Sequence, residues 1–488
     1  MGLAPLFCLR WCSAHRRTVF LRRCIAAALV ASGATLLLFQ TKLAAHESML
    51  LPPWIRPSAG PPGRQEEREG RTERDRRIME RQIFRDSGDA DHRHDGGVQS
   101  SASRKRLWFF TNGTEWPRPS SRLSRLARVW PDPKAPHDDR IVAQLMYLPP
   151  RYKGQATNLS TTYNKSSNFD WRNDSNATGL KTILLRGSWY NFHEGRMLFL
   201  RDRCPVDACR VYKGWRNENI TVDAVIHKDS FYNFYPKPRR QLWILYLLEN
   251  PLHTSVGNDS GSIDITATYR KDSDIVTPYE KFVLFDPLVK TIKRDIDYAQ
   301  NKTKMVAWFV SNCHAANRRL DYAKNLGKHI QVDIYGTCGP LSCPRHKSEQ
   351  CYRMLDNDYR FYLAFENANC KDYITEKFFN ALRHNVIPVV MGARREDYLA
   401  AAPYHSYIHV EDFASPKELA EYLLLLSRNR TLYNEYFHWR GTGEFVNTYF
   451  WCRLCAMLHA PPPPRGRRTR NVSQWWKDGA CAAPKKPA

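Results

Sequence analysis

From Lys181 to about Arg440 the chain alternates short apolar runs with helical patterns, and this alternation limits its fold more than any other feature. KTILLRG, VDAVIHK (Val222 to Lys228) and RRQLWILYLLEN (Arg239 to Asn250) are short and rich in Ile, Leu, Val and aromatic residues, as strands are. After a break around residues 286–301, MVAWFVSN leads into the helical NRRLDYAKNLGKHI, followed by QVDIYG, YRFYLAFEN, the helical DYITEKFFNALRHN, VIPVVMG and YIHVEDF. SPKELAEYLLLLSRN then reads as a helix, with Ser415 and Glu418 in capping-box spacing and Pro416 at its first position. Such alternation predicts an α/β fold with parallel, doubly wound sheets, and the break predicts two Rossmann-like halves facing a cleft. No internal period marks a repeat protein.

The N-terminus fixes the compartment. Cys24 to Gln40 is a 17-residue run without a charge, preceded by Arg10, Arg16, Arg17, Arg22 and Arg23 and by no acidic residue. Its length is at the short end for a membrane helix, and the basic flank sends the rest of the chain across the membrane, a type II signal-anchor. A cleaved signal peptide with Ala44 and Ala45 near the cut is the competing reading, and both leave the bulk of the chain in the lumen. Ten Asn-X-Ser/Thr sequons agree: Asn112, Asn158, Asn164, Asn173, Asn176, Asn219, Asn258, Asn301, Asn429 and Asn471. Beyond the anchor lie ten cysteines, which in an oxidising compartment read as disulfides. The formal charge of +25 suggests an anionic partner, and a luminal chain does not meet nucleic acid. The expected organisation is a cytosolic tail (1–23), the anchor (24–40), a disordered Pro, Arg and Ser-rich luminal stem (41–179), two Rossmann-like domains (180–300 and 301–460) and a peripheral basic tail (461–488) with Cys481 as the candidate for tying it back.

Three places carry chemistry. Glu249 follows the apolar run WILYLL, and ligands of open α/β sheets bind beyond the carboxyl ends of strands, so its carboxylate is a candidate general base. In FENANCKDYITEKFF a strand runs through a short loop into a helix whose first turn holds Thr375, Glu376 and Lys377. Free amides and the helix dipole favour an anion there, Lys377 adds a full charge, and Glu376 can accept hydrogen bonds from sugar hydroxyls. Together they suit a nucleotide sugar. Arg319, in the helix after VAWFVSN, is a candidate phosphate ligand, with Arg318 an equal candidate by composition.

VAWFVSN, VDIYG, FYLAFENANCKDYITEKFFNAL, VIPVVMGA and SYIHVEDFASPKELAEYL resemble the signature of the α1,3-fucosyltransferases, over about residues 180–460. The resemblance implies an inverting glycosyltransferase of GT-B fold in the Golgi membrane, using GDP-fucose as donor. It implies donor contacts at Arg319, whose Arg-X-X-Tyr spacing is met with Tyr322, and at Asn367, Tyr373, Glu376 and Lys377. It implies Glu249 as the base, although Pro251 stands closer to it than in members with the proline two residues later. It also implies that Cys452 and Cys455 pair with Cys204 and Cys209.

Inversion needs one base and charge stabilisation of the departing GDP, which Lys377, Arg319 and a helix terminus can supply. Asp-X-Asp matches at Asp272, Asp295 and Asp356 are scattered as chance would scatter them, so the expectation is no essential metal, with a divalent cation at most stimulatory. YGTCGPLSCPRHKSEQC, with Cys313 and Cys370, resembles the cysteine-rich pattern of the arthropod and plant members that fucosylate the innermost GlcNAc of N-glycans. That predicts an N-glycan or glycoprotein acceptor modified at its core; antennary transfer and a non-catalytic lectin-like protein on the same fold are the alternatives.

Overall fold

In the computed structural model, residues 106–117, 129–130, 140–150, 179–461 (with short gaps at 188, 190–193, 215–220, 232–235 and 258–259) and 471–483 are described. The Cys24–Gln40 run and most of the expected stem lie outside them. Among the described residues no helix is long and apolar enough to cross a membrane.

The first half is a six-stranded sheet of β1 (Lys181–Arg186), β2 (Cys209–Lys213), β3 (Ala224–Lys228), β4 (Leu242–Leu247), β5 (Ile265–Thr268) and β6 (Ile275–Val276), in the order β2-β1-β3-β4-β5-β6. Every pairing is parallel. In β4 the period-two rule is plain. Leu242, Ile244 and Tyr246 face one core, while Trp243, Leu245 and Leu247 face another, so both faces of the sheet are covered. The second half has five parallel strands, β7 (Lys304–Phe309), β8 (Val332–Tyr335), β9 (Tyr359–Phe365), β10 (Ile387–Met391) and β11 (Ile408–His409), ordered β8-β7-β9-β10-β11. Between the halves, Lys281–Leu284 pairs antiparallel with Gly443–Val446, and an exposed connection of residues 288–296 leads to β7.

Helices follow the strands of the second half: α1 (Arg319–Leu326) after β7, α2 (Glu376–Arg383) after β9 and α3 (Pro416–Arg428) after β11. The α3 cap is as the sequence indicates. Ser415 accepts from Glu418 N at 3.2 Å, and Glu418 returns a carboxylate to Ala414 N at 3.0 Å, one residue before the expected partner. α2 begins later than the helical pattern suggests, because Asp372 is left-handed (φ 59°) and Thr375 is the N-cap.

Two expectations are corrected. Part of the span read as stem is core: Trp108, Phe109 and Phe110 are buried with Ile141, Val142 and Leu145 against β1, β2 and the helix α4 (Phe450–His459). Three adjacent aromatics are enough apolar surface to dock a segment that is otherwise polar. The C-terminal tail is not peripheral either. Its helix α5 (Val472–Lys477) buries Val472 and Trp476 in the core on the second face of the first sheet. α4, though last in the sequence of the second half, also packs on the first sheet, held by Cys204–Cys452 and Cys209–Cys455. The remaining bridges are Cys313–Cys338, Cys343–Cys351 and Cys370–Cys481.

Trp108→Ala is expected to lower the unfolding free energy by about 3–5 kcal/mol, as deleting a fully buried aromatic does. Denaturant titration checks it: a change within about 0.5 kcal/mol, typical of a solvated linker residue, would contradict the packing.

Candidate functional site

The carboxyl ends of β4 and β9 meet. Glu249 and Asn250 lie just past β4, and the loop 366–375 follows β9. Asn250 is fully buried and donates through Nδ2 to Asn367 Oδ1 at 3.1 Å, which joins the two halves. Glu249 receives its hydrogen bonds on one oxygen. Oε1 accepts from the Tyr373 hydroxyl at 2.6 Å, from Asn250 Nδ2 at 2.6 Å, from Asn250 N at 3.0 Å and from Asn367 Nδ2 at 3.4 Å. None of these contacts reaches Oε2, and the side chain is 40% exposed. Burial pushes the carboxyl pKa up, but the donors Tyr373, Asn250 and Asn367 together hold it below the ordinary glutamate value.

A second carboxylate lies past the end of β9 and is fully sealed. Glu366 accepts from Thr375 N at 2.8 Å on Oε1, and from Thr375 Oγ1 at 2.8 Å and Lys377 Nζ at 3.2 Å on Oε2. Burial raises its pKa against the pull of Lys377 and the Thr375 donors. Gly392, at φ 145°, faces it: a Cβ there would stand 2.6 Å from Glu366 Cβ, so only glycine lets the strand ends close over this carboxylate. Lys377 also contacts Thr375 Oγ1 at 2.8 Å and Glu376 at 3.1 Å, and its side chain is 28% exposed. Burial alone would lower the Lys377 pKa, but Glu366 and Glu376 raise it, so the ammonium is a fixed positive charge at the start of α2.

Arg319 sits deeper than a surface phosphate ligand. Its guanidinium is buried, donating to Phe365 O at 2.7 Å and Asn312 O at 3.2 Å beneath the end of β9. Arg318 pairs with Asp321 at the surface. The structure thus brings Glu249, Asn367 and Tyr373 into direct contact, groups Glu376 with Lys377, and places Arg319 behind the strand end. Sequence reasoning missed the parts played by Glu366, Asn250 and Asn317, whose Nδ2 donates to Glu366 O at 2.8 Å. Glu366 stands in the quoted FEN motif, the one signal that could have found it.

Four of the six Asp-X-Asp carboxylates have hydrogen-bonding partners: Asp272 accepts from Arg270, Asp274 from Thr266, Asp297 from Asn434, and Asp356 pairs with His384. Among the described residues Cys209, Cys455 and His459 bring ligand atoms within 4.8 Å, but the two sulfurs are bonded to each other. Of the sequons, Asn112 and Asn301 are exposed, Asn429 and Asn471 cap helices through their side-chain oxygens, and Asn158, Asn164, Asn173, Asn176, Asn219 and Asn258 lie outside the described residues.

Residues 299–475 match the family described as glycosyltransferase family 10 (fucosyltransferase) C-term, and residues 178–280 match that described as fucosyltransferase, N-terminal. Over 393 residues the chain is 47% identical to the glycoprotein 3-alpha-L-fucosyltransferase A of Drosophila melanogaster, covering 77% of this chain and 74% of that one. It is 37% identical over 312 residues to the alpha-(1,3)-fucosyltransferase C of the same fly, covering 57% of this chain and 71% of that one. A crystal structure of an alpha1,3-fucosyltransferase with GDP-fucose aligns at a TM-score of 0.41 and 15% identity, covering 58% of this chain and 92% of that one. With this identity over most of both sequences, the chain belongs to glycosyltransferase family 10, the fucosyltransferases.

Proposed function

We propose that the protein is a GT-B enzyme that moves L-fucose from GDP-fucose, with inversion, onto O3 of a GlcNAc in an N-glycan. The observation that carries this reading is the partition of Glu249: its hydrogen bonds from both halves all fall on one oxygen, and the side chain is 40% exposed. The acceptor hydroxyl meets Oε2, and its proton passes there as its oxygen attacks the anomeric carbon from the face opposite GDP. The C–O bond to the β-phosphate breaks, and the electron pair leaves with GDP. Lys377, at the N-terminus of α2, takes up the charge growing on the pyrophosphate. Arg319, behind the end of β9, adds positive potential, and the exposed Glu376 accepts from sugar hydroxyls. Within this reading Tyr373 and Asn367 serve the carboxylate as well as the donor.

The core GlcNAc is the acceptor we favour. Support comes from the cysteine-rich loop after β8, which Cys313–Cys338 and Cys343–Cys351 fix in the second half, and from the fly relative, whose name specifies a glycoprotein. The Cys24–Gln40 run would hold the enzyme in the Golgi membrane with its sugar-transferring part in the lumen.

Glu249→Gln keeps the shape and removes the basicity, so kcat is expected to fall roughly 10²- to 10⁴-fold with GDP still bound. In the wild type the carboxylate stays ionised well into acid, so the acid limb of the pH–rate profile is expected below pH 4.5, the ordinary glutamate value. A limb near neutrality would assign the base to another group.

Lys377→Ala is expected to weaken GDP binding by about 10- to 100-fold, the worth of a charged hydrogen bond. Calorimetric titration measures it, and unchanged affinity in the folded variant would remove Lys377 from the donor site.

Offered GDP-fucose with either an N-glycopeptide bearing an unmodified core or free N-acetyllactosamine, the enzyme is expected to fucosylate the glycopeptide at its innermost GlcNAc. Transfer to lactosamine alone, read by mass spectrometry, would make it an antennary enzyme.

A further inference from the structure

The C-terminal segment 471–483 crosses from one half to the other, and its contacts converge on the oxygen that anchors Glu249. On the first half, α5 lies against the loop after Glu249. Ser473 Oγ and Lys477 Nζ donate to Val256 O at 2.9 and 3.2 Å, and Trp476 Nε1 donates to Thr254 Oγ1 at 2.8 Å. The Thr254 hydroxyl then donates to Asn250 O at 3.1 Å, and Asn250 Nδ2 donates to Glu249 Oε1 at 2.6 Å. A hydroxyl has one proton, so accepting from Trp476 and donating to Asn250 fixes its direction.

On the second half the same segment ends in Cys481, bonded to Cys370 and paired with it as a short antiparallel strand. Cys370 stands three residues before Tyr373, whose hydroxyl donates to Glu249 Oε1. The Trp476 ring also packs on Tyr269 at 5.5 Å, and Tyr269 packs on Tyr373 at 5.1 Å. Trp476, Tyr269 and Tyr373 are all at most 2% exposed, within one core with β4. Two routes therefore leave Trp476, one polar through Thr254 and Asn250, one apolar through Tyr269, and both end on donors to Glu249.

We infer that Trp476 and Thr254 are positioning residues for the base: the C-terminal strap sets the Glu249 carboxylate for proton transfer by fixing Asn250 and Tyr373 from opposite halves. The inference rests on Glu249 being the base. Besides the three donors, the groups that act electrostatically on Glu249 or lie within its field are His253 in its own loop, Asp229 after β3, Tyr269 after β5 and Tyr279 in the connection between the halves. None of these is removed by substitution at Trp476 or Thr254.

The test uses steady-state kinetics over pH on the purified full-length enzyme. Trp476→Phe keeps the ring packing and removes the N–H; Thr254→Val keeps the shape and breaks the relay on both sides; Thr254→Ser restores the hydroxyl. The first two are expected to lower kcat on the order of tenfold, the worth of one hydrogen bond in the arrangement, and to move the acid limb up toward the ordinary glutamate value. KM for GDP-fucose should stay within about twofold, because both variants leave Lys377 and the packing of Tyr269 on Tyr373 in place. Thr254→Ser should recover both kcat and the limb, and the double variant Trp476→Phe/Thr254→Val should lose no more than Thr254→Val alone. Wild-type kcat and acid limb in Trp476→Phe and Thr254→Val overturn the inference, as does a loss that Thr254→Ser does not recover. Glu249→Gln in the same series separates the two ideas. If it keeps the wild-type rate, the base assignment fails and the inference with it. If it loses the rate while Trp476→Phe and Thr254→Val do not, only the strap's role fails.

Discussion

The site depends on a single oxygen atom. Glu249 Oε1 takes four hydrogen bonds, two from Asn250 in its own half and two from Asn367 and Tyr373 in the other. Removing a carboxylate oxygen from water is costly unless donors replace the water, so this oxygen favours the closed arrangement in which the halves touch. None of these donors reaches the second oxygen, the one the proposed mechanism uses. A carboxylate anchored at one end loses little further freedom when a hydroxyl arrives at the other, which is the geometric condition for proton transfer in a bound complex.

Such a contact needs the two sheets held at a fixed separation, and the chain does this by returning to the first half after completing the second. α4 packs on the first sheet through disulfides that join residues 248 and 246 positions apart, and the terminal segment crosses again to end at Cys370. Closing a loop of this length removes much of the unfolded chain's freedom, on the order of 5 kcal/mol for the first of the two α4 bridges in the chain-entropy picture, while the second closes only a short further loop. The cores follow the same logic. Ala368, Cys370 and Tyr373 of the second half share one hydrophobic cluster with Trp243, Leu245 and Leu247 of β4, so the interface behind the site is packed like an interior.

In the first half, the strands made of nearly continuous apolar runs were the legible ones. KTILLR, AVIHK and LWILYL are nearly continuous apolar runs, and β1, β3 and β4 lie where the sequence suggests. CRVYK and ITAT were missed: β2 mixes charge into five residues, and β5 carries two threonines that are buried only because neighbouring strands and Asp274 surround them. The docking of Trp108 was hidden for a related reason, since its partners in α4 lie more than 300 residues further along. At the site, the donor-block residues were legible as types through the family motif. Their contacts with Glu249 were not, because separations of 118 and 124 residues are set by the closure of two sheets, which no local pattern encodes.

Glu249 and Glu366 show what a sequence cannot separate. Each follows an apolar strand of a parallel sheet at its carboxyl end, and position alone gives both the same claim to chemistry. Their surroundings give them different work. Glu366 is fully enclosed, and donors from Thr375 and Lys377 occupy both oxygens, so no face remains for a substrate; it orders the start of α2 and holds the Lys377 ammonium in place. Glu249 is part exposed with its donors on one oxygen, and its pKa is pulled down where that of Glu366 is pushed up. In the proposed mechanism the carboxylate that is part exposed and held ionised takes the proton of the incoming hydroxyl. The sealed one keeps the Lys377 ammonium in place, where the proposed mechanism sets the departing diphosphate.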